Sequence, residues 1–95
     1  MRWQGENMDK RRVVDLLERF EKIEEEKSNK SPNIYMVLEI TANSYGTFEH
    51  YIYVRDTTAK KSFVCSIKGY SSNMAADEVE TYDDVLNVLR RVQNG

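Results

Sequence analysis

His50 and Cys65 are each the only residue of their kind in the chain, and they limit the chemistry on offer. A lone histidine, with no cysteine at ligand spacing, makes no zinc site within one chain. Alternation puts Cys65 beside Phe63 and Ile67 on an apolar face, so it reads as a small buried hydrophobe and not a nucleophile. His50 falls near the end of the same face and reads as an edge-of-core residue. Ser71 and Ser72 have no recognisable base nearby, and four scattered glycines form no phosphate-cradling loop. The run Asp77, Glu78, Glu80, Asp83 and Asp84 lacks the spacing and glycine of a calcium loop. The expectation is a non-enzyme, with no catalytic residue, no metal and no cofactor.

Two groups fit binding instead. Tyr35, Tyr51 and Tyr53, with Arg55 and Lys68, alternate onto one face of a sheet. Cross-strand aromatic pairs stabilise a sheet by themselves, and they also make a docking face for a protein or for a second copy. Beside two cations they equally suit stacking of single-stranded nucleic acid. The acidic run Asp77 to Asp84 reads as a solvated helix entry. If it binds, it suits a basic protein surface.

Three strands must position these residues: Ile34 to Thr41, His50 to Asp56 and Ser62 to Lys68. Each shows period-two alternation and is rich in β-branched or aromatic residues. Ile34, Met36, Leu38, Ile40, Ile52, Val54, Phe63, Cys65 and Ile67 share the core face. The loop Thr57 to Lys60 is short enough for a hairpin, and Asn43, Ser44 and Gly46 permit another. A charged helix over Asp9 to Glu26 precedes the strands, with Val13, Leu16, Leu17, Phe20 and Ile23 as its apolar stripe. Glu24, Glu25 and Glu26 should fray its end, and Ser28 to Asn33 should form a linker closed by Pro32. Residues 74–80 are open between a helical turn, a short strand and irregular chain. Thr81 should cap a second helix, with Tyr82, Val85, Leu86, Leu89 and Val92 turned inward. The fold expected is a two-layer α+β domain of order α-β-β-β-α, a three-stranded antiparallel meander with both helices on one face.

Ninety-five residues suffice for one such domain, taken as 8–95 behind a tail of residues 1–7. Trp3 in that tail reads as docked on the domain's edge or left disordered, or else as an anchor for a partner. With 14 basic and 16 acidic side chains the net charge is -2, which favours neither a polyanion binder nor a nucleic-acid mimic. No apolar run approaches a membrane span. Met1 to Lys10 carries no hydrophobic signal region, and one cysteine permits no internal disulfide, so a cytoplasmic location is expected.

The order helix, three strands, helix over Asp9 to Gln93 resembles the layout of double-stranded RNA-binding domains. Those domains open their last helix with a lysine cluster that grips phosphate. The corresponding turn here holds Glu80, Asp83 and Asp84, so the layout does not bring RNA binding with it. Small phage and mobile-element proteins that inhibit a host enzyme are similar in size and compactness. The function expected is a small protein-interaction module, an inhibitor or regulator of a larger protein. The alternative is a single-stranded nucleic-acid binder working through the aromatic face.

Overall fold

A computed structural model describes residues 3–42, 48–70 and 72–95, and the side chains of 10–41, 48–70 and 72–95. Its elements run α1 (Trp3–Lys30), β1 (Ile34–Ala42), β2 (Phe48–Asp56), β3 (Lys61–Ile67), β4 (Glu78–Val79) and α2 (Tyr82–Asn94). The sheet order is β1-β2-β3-β4. The first three strands form the expected antiparallel meander. The two-residue β4 then pairs parallel to β3, so the open segment 74–80 is turn and irregular chain that ends in a short edge strand. The expected turn with Asn43, Ser44 and Gly46 lies outside the described residues, as do Ser71 and the side chain of Trp3.

Both helices cover one face of the sheet. Ile52, Val54, Cys65 and Ile67 are buried there with Ile34 and Met36, while Leu38, Ile40 and Phe63 pack at the margin of the cluster. From α1 come Leu16 and Ile23, both at 0% exposure, and from α2 come Tyr82, Val85, Val88 and Leu89. Leu17 departs from the expected stripe. It is 45% exposed and Val14 is 46% exposed. Each helical residue turns by about 100°, so the line of α1 centred on Leu16 and Ile23 carries the adjacent Leu17 away from the sheet.

The C-terminus of α1 also departs from expectation. It does not fray at Glu24 to Glu26 but continues to Lys30, which shortens the linker to 31–33. Lys27 pairs with Glu24 at 3.5 Å. Glu26 accepts the backbone N–H of Tyr82 at 3.2 Å, so one of the three acids serves the first turn of α2. Lys27 and Lys30 complement the helix dipole in the last turn. Pro32 follows directly.

The start of α2 is as expected. Thr81 is extended (φ -129, ψ 168), its hydroxyl accepts the N–H of Asp84, and the Asp84 carboxylate accepts the N–H of Thr81 in return. This reciprocal box satisfies two otherwise orphaned donors.

Leu16→Ala should lower unfolding stability by about 2–5 kcal/mol, through lost burial and a residual cavity. At concentrations where the chain is monomeric, Leu17→Ala should cost less than about 1 kcal/mol, as ordinary surface substitutions do. Denaturant melts of the two variants check the rotation of α1. Equal losses would place both leucines against the sheet.

Candidate functional site

Among the described residues, neither helix covers the second face of the sheet. β2 forms its spine, with Glu49, Tyr51, Tyr53 and Arg55 turned outward between β1 and β3. Across the strands Tyr35 lies opposite Arg55, Val37 opposite Tyr53, and Glu39 opposite Tyr51. Tyr53 meets Val64 on its other side, and Arg55 meets Ser62. Tyr35 is 52% exposed. Val37, Tyr51, Tyr53, Arg55 and Val64 are half-buried.

The aromatic rings are ordered by contacts within this face. Tyr35 and Tyr53 meet edge-on, with centroids 6.4 Å apart and planes at 71°, a geometry in which a positive ring edge meets a negative ring face. The Tyr51 hydroxyl donates to Glu39 at 2.9 Å. That bond to a carboxylate, followed by partial desolvation, holds the Tyr51 hydroxyl above its usual range. The surface is therefore an apolar patch of Tyr35, Val37, Tyr53 and Val64, with Arg55 at one end and the Glu39–Tyr51 pair at the other.

Of the five residues expected on this face, four are brought together and Lys68 is not. Lys68 lies beyond the end of β3, where its N–H bonds the carbonyl of Val79 at 2.9 Å and its ammonium approaches Glu80 at 3.8 Å. Ser66, which alternates onto the same side of β3 as Lys68, is 1% exposed. Its N–H and hydroxyl both donate to the carbonyl of Asp77, at 2.7 and 3.2 Å, because the segment leading into β4 lies against it.

The acidic segment is tied into the fold. Asp77 pairs with Arg91 at 2.6 Å, Glu80 with Lys68, and Asp83 with Lys30 at 3.7 Å. Asp84 accepts the N–H groups of Glu80 and Thr81 at 2.8 and 3.0 Å, and these backbone bonds hold its carboxyl below the usual range. Glu78, in β4, is exposed. Four of the five acids thus have a partner in their own chain.

His50 is 3% exposed, and its Nε2 accepts the N–H of Ile67 at 2.9 Å. That bond requires Nε2 to be unprotonated, so the proton sits on Nδ1. Burial pushes the His50 pKa down, with Arg12 acting in the same direction and Glu49 opposing. Burial pushes the Cys65 thiol up to about 12, with the Asp77 charge adding to it. Neither group is arranged as a base or a nucleophile.

A cluster around Tyr70 carries no sequence signature. Its hydroxyl donates to Asp15, the Arg12 guanidinium lies 4.7 Å from its ring centroid, and its ring meets His50 edge-on. Arg12 also approaches Phe48, at 5.6 Å. The only hint in the sequence is that Arg12, Asp15 and Arg19 fall on one side of a helix. These contacts anchor α1 to the loop after β3.

Among the described residues no helix is long and apolar enough to cross a membrane, and no group of three or more His, Cys, Asp and Glu could hold a metal ion. No family model, curated protein or solved structure matches this chain.

A histidine with a lowered folded pKa binds fewer protons folded than unfolded. Its contribution to stability is complete above the unfolded value of about 6.5 and is lost as pH falls below that value toward the folded pKa. Melts from pH 7.5 to 5 should show this decline in the wild type, and His50→Gln should flatten it. An NMR titration placing the His50 midpoint at or above 6.5 would contradict the buried acceptor geometry.

Proposed function

We propose that the protein is a small non-catalytic interaction module that docks a protein partner on the outer face of its sheet. One observation carries the reading: among the described residues no element lies over the aromatic and aliphatic patch of Tyr35, Val37, Tyr53 and Val64, of which Tyr35 is exposed and the others half-buried, while both helices crowd the opposite face. A contiguous apolar patch on a small domain usually marks an interaction site, and tyrosine is enriched at interface centres. The occupied Nε2 of His50 and the raised Cys65 thiol support a role without catalysis.

The charges around the patch favour protein over nucleic acid. Glu39 borders Tyr51 and Glu78 lies exposed on β4, whereas Arg55 stands opposite Tyr35 and Lys68 is engaged with Glu80. A strand of phosphates needs a cationic track beside its stacking rings, and one arginine does not make one. The proposal extends to an inhibitor or regulator of a larger cytoplasmic protein, of the type phages and mobile elements encode. Asp77 to Asp84 is at most a secondary contact, with Glu78 its freest acid.

Replacing Tyr35 and Tyr53 together by serine removes the centre of the patch. The edge-on pair contributes about 0.5–1.5 kcal/mol, so the double variant should remain folded. A partner co-purified from the native host with the wild type, and retained at moderate salt, should be lost with the variant. A partner retained by the variant would move the site elsewhere. Labelled oligonucleotides should not bind at low salt. Binding that weakens steeply as salt rises would favour the nucleic-acid reading.

A further inference from the structure

β1 is the long edge of the sheet. Nine consecutive residue pairs join it to β2 from Ile34–Asp56 to Ala42–Phe48, with no bulge. Among the described residues no element pairs with its other side. Edge strands are usually protected by lysine, proline, a bulge or short length. β1 contains no lysine, proline or glycine, and Glu39 is its one charge. The opposite edge, β4, is only two residues long.

The hydrogen bonds fix which backbone groups point outward. Successive residues of a strand send their N–H and C=O to opposite edges. The carbonyl of Asn33 accepts the N–H of Thr57, so Asn33, and with it Tyr35, Val37 and Glu39, face β2. From the other side, the N–H groups of Ser66 and Lys68 bond toward β4, which assigns the groups of Tyr53 to β1 and agrees in phase. The N–H and C=O of Met36, Leu38 and Ile40 therefore point to the free edge.

Above this edge α1 packs against β1. Leu38 and Ile40 are half-buried, and Leu17 and Val14 are about half exposed. The side of α1 facing α2 is marked by Glu26, which bonds Tyr82. Leu17 lies about half a turn from Glu26 around the helix, so it faces away from α2, toward the β1 side. An occupant must supply an extended strand and, above it, an apolar helix surface. The chain's own α1–β1 unit has both.

We infer that two copies of this chain pair antiparallel along β1 about a two-fold axis at Leu38, joining two sheets into one. This goes beyond the proposed docking face, since it uses the strand's edge and a different partner. In that register Leu38 meets Leu38 of the second copy and Met36 meets Ile40, exchanging about six backbone hydrogen bonds. Val37 meets Glu39, and Tyr35 meets Thr41, so no like charges stand opposite each other. Leu17 is covered by the second copy's α1. An isologous contact of this kind closes on itself and leaves no long edge.

Sedimentation equilibrium on the full chain alone tests this. The wild type should reach twice the 11.2 kDa chain mass at micromolar concentration. Val37→Glu sets one acid opposite Glu39 of the other copy on each side of the axis and should shift the equilibrium at least tenfold toward monomer. Adding Glu39→Lys should restore the dimer. Amide exchange at Met36, Leu38 and Ile40 should slow as wild-type concentration rises, a readout independent of any variant. A chain monomeric to millimolar concentration overturns the inference. So does a dimer indifferent to both changes, or one abolished by replacing Tyr35 and Tyr53 while these three amides exchange freely. Those outcomes leave the docking-face reading to its own test.

Discussion

The structure depends on one constraint: β2, the central strand of the meander, has a single face that helices cover. Ile52 and Val54 on that face are at 0% exposure beneath α1 and α2. Their neighbours Tyr51, Tyr53 and Arg55 must point the other way, because side chains alternate along a strand. Burying the first set therefore exposes the second. A register slip of one residue would exchange the two sets and place an arginine in the core.

Asp56 fastens this arrangement at one end. Its Oδ1 accepts the N–H groups of Thr58 and Ala59 in the β2–β3 turn, at 2.9 and 3.0 Å, and the amide of Asn33 at 3.2 Å. Its Oδ2 accepts the Gln93 amide at 2.7 Å. One carboxylate so joins the hairpin, the entry to β1 and the last turn of α2. Tyr82 is buried close by, and burial pushes its pKa up while the Ser31 side chain acts the other way. At the other end Arg12, Asp15 and Tyr70 fasten α1, so the two helices are pinned at opposite ends of the strands.

Strands, core face and the cap at Thr81 were legible in the sequence because each rests on local periodicity or a local hydrogen bond. The places that were not legible depend on contacts distant in the chain. Leu17 satisfies the apolar spacing, yet only the placement of the sheet decides between it and Leu16. Glu26 belongs to an acidic run that should fray, but the N-terminus of α2, 56 residues away, uses it. Lys68 has the alternation of an outward residue, but β3 ends before it and Glu80 holds it. The tyrosine face was legible through alternation alone. The free edge of β1 follows from topology, since the first strand of a meander has a neighbour on one side only.

The central claim is that the aromatic face is uncovered by its own chain. Line broadening of tyrosine ring resonances by a soluble, uncharged gadolinium chelate measures this directly. Tyr35 and Tyr53 should broaden strongly, while Tyr82, at 0% exposure, should be untouched. Rings of Tyr35 and Tyr53 as protected as Tyr82 in the monomeric protein would mean that the chain covers this face itself, and the account would fail.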